Sequence, residues 1–301
     1  MSKPNISESE LEAWLRERFD VPVEDLRPLT GGYWSSAFAF RSSLDELVIR
    51  FNRDPTGFEI DAKAMQFESL PVPRILEIGE GLGFHFALSE RHHGTFLELF
   101  EDEPLDVATN LVKALAHQVT PDVNNVNWFE PDQTSTYSWQ DWLLDSLVHA
   151  QDSVTTEPAK TVFMRCYETF SESLDECPER RDLVHGDLLH QNVLVRKSGD
   201  IDAIFSWKCS VLGDFLFDVA WLELWAPWHP ALENTQFGLK LAQQLEVTQS
   251  ALENAAMRLH LYKLQIGAHH LGWFSSIGDH SNLAKMTSYL EKSLIAGPPA
   301  S

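Results

Sequence analysis

Residues 185–192 read His-Gly-Asp-Leu-Leu-His-Gln-Asn and run directly into an apolar triplet, Val193-Leu194-Val195. A carboxylate followed five positions later by a side-chain amide, just ahead of a strand, supplies the groups that phosphoryl transfer requires. In that chemistry Asp187 accepts the proton of an attacking hydroxyl held in line with a terminal phosphate. The Asn192 amide oxygen holds a magnesium ion on the phosphates. Catalysis of this kind is mostly positioning and charge neutralisation, so the loop has only to hold a few groups rigidly. Gly-Asp and Asn also make ordinary turns before strands. The combination of His185, Asp187, the four-residue gap, Asn192 and the apolar run makes a plain turn the weaker reading, and His185 is placed to brace the loop by hydrogen bonding.

Downstream, Lys197-Ser198-Gly199-Asp200 reads as a hairpin turn and Ile201 to Trp207 as the return strand. In kinases that resemble this pattern the second strand delivers an aspartate to magnesium, but in Ile204-Phe205-Ser206-Trp207 the expected place is held by Ser206. A hydroxyl there removes a full negative charge and a strong oxygen ligand from a hard cation. Asp202 is a poor substitute, because four strand residues put it roughly 13 Å away at about 3.3 Å per residue. Asp214 would reach the site only by giving up a helix-capping role.

The elements that must position this loop are legible in outline. Ser7-Glu8-Ser9-Glu10 is a capping box that starts an amphipathic helix with Leu11, Trp14, Leu15 and Phe19 on its apolar side. Asp25 to Phe51 alternates and carries turn residues, as a meander of antiparallel strands does. Within it, Gly31-Gly32 reads either as a plain hairpin turn or as a loop whose backbone can approach phosphates closely. A helix is expected from about Phe58 to Phe67 and an apolar strand over Phe84 to Leu88. From about Thr95 the pattern turns helical, with helices expected over Leu105 to His117, Ser138 to Ala150, Lys160 to Leu174 and Phe215 to Trp225. The Pro-, Asp- and Asn-rich stretch Thr120 to Thr136 reads as a loop. Asp214 suits the N-terminus of the Phe215 helix as a cap. Among Trp221, Trp225, Trp228 and Trp273, helix-spaced aromatics are more often core than cleft; Trp221 is assigned to the core, and Trp225 and Trp228 are left open. The pairs His92-His93 and His269-His270 lack the spacing that puts two metal ligands on one helix face.

With these segments in hand, the chain resembles the aminoglycoside phosphotransferase family of small-molecule kinases, and most nearly its hygromycin B phosphotransferase branch. The segments that carry the resemblance are Leu29-Thr30-Gly31-Gly32 with Ser35 to Phe40, Leu47 to Asn52, Pro71-Val72-Pro73-Arg74-Ile75-Leu76, the 185–195 run, and Gly213 to Trp221. The resemblance implies a two-lobe, protein-kinase-like α+β fold. Residues 1–91 would form an N-terminal nucleotide-binding lobe with a small antiparallel sheet, and residues 92–301 a larger, mainly helical catalytic and substrate-binding lobe, with the nucleotide between them. It implies ATP and Mg2+ as cofactors and a small-molecule hydroxyl, such as that of an aminoglycoside-type antibiotic, as acceptor. Gly31, Gly32 and Ser35 would belong to the phosphate loop. Arg50 would take the place of the phosphate-pairing lysine, its fork able to bind phosphate bidentately. Asp61, with Glu59 as runner-up, would steady Arg50. Glu90 and Arg91 would lie at a hinge where adenine bonds to backbone. Asp187 would be the base with His185 as its brace, Asn192 and Ser206 would face the metal, and Asp214 and Asp218 would be supports.

Composition is compatible with this reading. A chain of 301 residues with 44% hydrophobic content can bury a substantial core. A net charge of -22 argues against nucleic-acid binding through phosphate neutralisation. It would suit a polycationic acceptor, and serves solubility equally well. Three cysteines without CxxC spacing point away from a disulfide framework or zinc site. No apolar stretch is long enough for a membrane span and the N-terminal residues show no signal-peptide core, so a cytoplasmic protein is expected. The sequence is silent on oligomeric state. Two readings follow: an ATP-dependent phosphotransferase, favoured by the retained Asp187, and a catalytically impaired relative that binds nucleotide or small ligand without turnover, favoured by Ser206.

Overall fold

Alternating apolar residues at Phe38, Phe40, Ile49, Phe51, Phe86 and Leu88 give one sheet face a continuous apolar surface, and a helix closes over it. In the computed structural model, which describes residues 3–19, 22–43, 45–120, 125–129 and 136–298, that helix is α1 (Glu8–Phe19). The Ser7 hydroxyl accepts the Glu10 amide at 3.3 Å, and Leu11 and Leu15 are fully buried. Each such burial is worth about 1.5–3 kcal/mol. The strands are β1 (Glu24–Leu29), β2 (Ser36–Ser42), β3 (Asp45–Asn52), β4 (Ile75–Gly81) and β5 (Phe84–Glu90). They form an antiparallel sheet in the order β1-β2-β3-β5-β4.

Between β3 and β4 lies α2 (Thr56–Ala64). It begins two residues before and ends three before the helix expected from sequence, and its chain continues through single turns to Phe67. A second small sheet joins β6 (Thr95–Phe96) to the hairpin β8 (Val193–Val195) and β9 (Ile201–Ile204). Gly199, at φ +87°, makes the hairpin turn. The return strand stops at Ile204, short of the expected Trp207, and Trp207–Cys209 is a 3-10 turn.

The remaining elements are α3 (Pro104–Ala116), α4 (Trp139–Gln151), α5 (Ala159–Glu172), β7 (Asp182–Val184), β10 (Val211–Gly213), α6 (Leu216–Trp225), α7 (Gly238–Gln244), α8 (Ala255–Ile277) and α9 (His280–Ala296). A capping box of Ser138 and Asp141 starts α4. The apolar α8 is buried along most of its length against α4, α5, α6 and α9, as expected of a helix without a single solvent face. Most of the loop expected over Thr120 to Thr136 lies outside the described residues; Val126 and Trp128 within it are buried.

The chain packs as two units, Met1–Asp102 with Leu189–Cys209, and Glu103–Leu188 with Ser210–Ser301. This differs from a single boundary after residue 91, because β6 pairs with β8 and so ties residues 95–96 and the 193–204 hairpin into one sheet. Among the described residues no helix is long and apolar enough to cross a membrane.

Candidate active site

In the first unit, β3 and α2 bring Arg50 and Asp61 together: Nη2 of Arg50 lies 2.9 Å from Oδ2 of Asp61, with the side chains 20% and 7% exposed. The guanidinium also sits over the Phe58 ring at 5.2 Å. Asp61 is buried on α2 with Phe58 and Ala64, three residues to either side, whereas Glu59 faces solvent. The other Asp61 oxygen, Oδ1, accepts the Trp207 amide at 2.9 Å. One buried carboxylate therefore ties the basic residue of β3 to the backbone immediately after Ser206. Ser206 itself has φ +62°. That is the left-handed region, which a serine enters at a cost and which Asp, Asn or Gly accept more readily.

Asn192 precedes β8, and its carbonyl accepts the Phe205 amide at 2.8 Å, extending the register in which Val193 faces Ile204. The ends of the hairpin thus carry Asn192 on one strand and Ser206 just beyond the other. As a donor set for magnesium they offer two neutral oxygens. Asp202 is committed elsewhere: it takes the His93 amide at 3.0 Å, Nδ1 of His92 at 3.2 Å and the Arg196 guanidinium. Burial alone would raise its pKa, but the His93 amide and Arg196 outweigh that and hold it below the usual carboxylate value. Among the described residues no cluster of three His, Cys, Asp or Glu side chains is arranged to hold a metal. The residues fit an ion held chiefly through a nucleotide's phosphates rather than by the protein alone.

Gly31 and Gly32 form the β1–β2 turn at φ +106° and +65°. The backbone conformation favours glycine at position 31, and a Cβ there would lie 1.6 Å from Oε1 of Gln191, so that the flexible end of this side chain would have to move aside. Ser35 is tied to the end of β3, its hydroxyl accepting from the Asn52 side-chain amide at 3.1 Å. Glu90 and Arg91 lie at the end of β5, where the hinge is expected. The Glu90 amide donates to the Arg74 carbonyl at 3.1 Å and the Arg91 amide to the Glu46 carbonyl at 3.0 Å, so neither N–H is left for a base. Their side chains pair with Arg74 and Glu46. The reason is that β5 continues in register with β3 as far as Leu47–Glu90.

In the second unit, His185 and Asp187 sit on the loop after β7. His185 is fully buried, and its Nδ1 accepts the Asp187 amide at 3.2 Å. The loop's backbone is held from α6: Asp218 accepts the His185 amide at 2.8 Å and the Gly186 amide at 2.9 Å. Burial pushes the Asp218 carboxyl up to about 7, against the two amide bonds that lower it, and the Asp187 charge adds to the rise. Asp214 is fully buried and does more than cap a helix. Besides the Leu216 amide at 3.1 Å it receives Nε and Nη2 of Arg258 at 2.8 and 2.6 Å, and the Tyr262 hydroxyl donates to it at 2.7 Å. Both acids are thus committed to support.

Trp221 and Trp225 are buried, and Trp225 packs edge-on to His270 at 4.8 Å. Trp228 is partly buried, with Tyr289 at 5.6 Å and the Lys285 ammonium over its ring at 4.5 Å. His93 pairs with Glu46 at 2.6 Å, and His269 bonds the Ser146 carbonyl at 3.2 Å.

Sequence reasoning passed over Gln191, Glu98, Arg258 and Tyr262. Glu98 is buried and accepts the Gln191 amide at 2.6 Å, fixing the residue before Asn192, which has φ +68°. For Arg258 the available signal was a charge in the first turns of a largely apolar helix, since such a residue is buried only when paired.

A model of the phosphotransferase enzyme family matches residues 25–252. Hygromycin-B 4-O-kinase of Escherichia coli is 28% identical over 286 residues, spanning 90% of this chain and 80% of that protein. A thermostable mutant of aminoglycoside phosphotransferase APH(4)-Ia, solved in ternary complex with AMP-PNP and hygromycin B, superposes with a TM-score of 0.81 at 26% identity, covering 96% of this chain and 99% of that one. Choline kinase LicA from Streptococcus pneumoniae, at 10% identity and a TM-score of 0.64 over 94% of this chain and 98% of its own, shares the fold alone. The family match spans the glycine turn, the Arg50–Asp61 pair and the Asp187 loop on one kinase-like α+β fold, and the chain belongs to the phosphotransferase enzyme family.

Proposed function

We propose that this protein transfers the terminal phosphate of ATP to a hydroxyl of a small molecule, with a hygromycin-like aminoglycoside as the first acceptor to test. The observation that carries the reading is Asp61 joining Arg50 to the backbone beside Ser206, because a buried carboxylate spent on those two partners organises a phosphate-facing cation. Family membership and the nucleotide and hygromycin B bound in the APH(4)-Ia complex support it.

In this mechanism Asp187 accepts the acceptor's hydroxyl proton as the oxygen attacks the terminal phosphorus, and the bond to the leaving diphosphate breaks in line. The His185 imidazole and Asp218 hold the loop, so little reorganisation accompanies the transfer. Arg50 balances charge on the phosphates, and the turn at Gly31, Gly32 and Ser35 approaches them through backbone. Magnesium bound to the nucleotide would lie against Asn192 and Ser206 and supply charge neutralisation. Residues 1–91 are assigned to nucleotide binding and 92–301 to catalysis and acceptor binding. Of the hinge assignments, Glu90 and Arg91 contribute no free N–H.

A second reading, a nucleotide- or ligand-binding relative without turnover, rests on Ser206. The test is magnesium-dependent ATP turnover with hygromycin B, other aminoglycosides and further hydroxylated compounds, for the native chain, Ser206→Asp and Asp187→Ala. Native activity lost in Asp187→Ala supports the enzyme. Activity only in Ser206→Asp supports the second reading.

A further inference from the structure

We infer that Lys3 is a positioning residue for the nucleotide's phosphates, orienting the amides of the glycine turn. This rests on the phosphotransferase reading and adds a residue outside the family match, which begins at residue 25.

The Lys3 ammonium donates to the carbonyls of Gly31 at 2.9 Å and Gly32 at 3.2 Å. A trans peptide unit is planar, so its carbonyl and the following N–H point in opposite directions. Holding the Gly31 and Gly32 carbonyls toward Lys3 therefore turns the Gly32 and Tyr33 amides to the other side. Successive amides aligned in this way make a concavity for anions. Positive charge on the carbonyl end also polarises each N–H further.

The strap that presents Lys3 is itself anchored. Pro4 and Ile6 are buried, Ile6 against the apolar face under α1, and the Ser36 hydroxyl donates to the Pro4 carbonyl. The side-chain amide of Gln191, beside Asn192, also lies next to Gly31. The turn thus neighbours both the strap and the loop that carries Asn192. Lys3 is exposed, so its removal leaves this anchoring in place.

The test compares native protein with Lys3→Met, which keeps length and loses charge, and Lys3→Arg, which restores it. ADP and ATP binding are measured by titration calorimetry, with thermal melting alongside, and KM for ATP and for the acceptor wherever turnover is found. The expected result is nucleotide affinity weakened about 3–10-fold in Lys3→Met, as for loss of one charge-assisted contact. Lys3→Arg should be near native, and acceptor KM and melting temperature unchanged. Equal binding by native and Lys3→Met would overturn the assignment alone. A Lys3→Met loss that affects nucleotide and acceptor alike, with lowered melting, would show a merely structural role. A native chain that binds no nucleotide would remove the phosphotransferase reading and this assignment together.

Discussion

Replacing Asp218 by asparagine isolates the carboxylate that holds the Asp187 loop. In the native chain each oxygen accepts one buried amide, from His185 at 2.8 Å and Gly186 at 2.9 Å. Asparagine keeps one acceptor and sets an NH2 donor against the other amide, leaving a buried N–H unsatisfied at a cost of about 1–3 kcal/mol. The pH dependence carries the sharper signature. Burial raises the carboxyl from 3.8 to about 7, so the folded state binds more protons than the unfolded state across that interval. Stability then falls as pH rises from about 4 to 7, by roughly 4 kcal/mol in all at about 1.4 kcal/mol per unit. The full contribution is present below the unfolded-state value and gone above 7. Asp218→Asn has no such titration. Urea unfolding of both proteins from pH 4.5 to 8 should therefore show the native advantage shrinking steadily toward neutral pH. Parallel stability profiles would refute a carboxyl titrating near 7 and the burial argument behind it.

Asp61→Ala should cost about 2–4 kcal/mol by urea unfolding, since it strands a half-buried guanidinium and the buried Trp207 amide together. It should also raise KM for ATP well beyond any effect on acceptor KM. Native-state alkylation with iodoacetamide at pH 8 should label Cys209, the exposed thiol, and spare Cys166 and Cys177, which burial pushes up to about 12. Peptide mapping of the labelled protein reads this out, and label on Cys166 or Cys177 without unfolding would contradict their burial.

What the sequence reveals about the site follows the range over which its geometry is fixed. Asp187 and Asn192 share one short loop, so spacing alone is enough to single them out as candidates. The helix face of α2 distinguishes Asp61 from Glu59, because Phe58, Asp61 and Ala64 recur at three-residue intervals on the buried side. That stripe was present in the sequence, although motif distance alone left both acids open. The backbone bonding of Glu90 and Arg91 is less legible: the β5 ladder runs on to Glu90, and where pairing stops depends on β3 and on the Arg74 carbonyl. Strand ends set by partners far along the chain leave little local trace. The same holds for Arg258, whose buried partner Asp214 lies 44 residues away.

Ser206 shows why a substituted side chain and a retained backbone must be read separately. A serine stands where the family resemblance leads one to expect a carboxylate, yet its φ of +62° keeps a left-handed turn that serine has little intrinsic reason to adopt. The turn persists because both its neighbours are held: the Phe205 amide by the Asn192 carbonyl and the Trp207 amide by Asp61. Since Asp61 also grips Arg50, the guanidinium on β3 and the backbone beside Ser206 share one support. An aspartate placed at position 206 would therefore enter a left-handed backbone conformation that it tolerates better than serine. Ser206→Asp should therefore change the charge at this end of the hairpin and leave the hydrogen bonds of Phe205 and Trp207 in place.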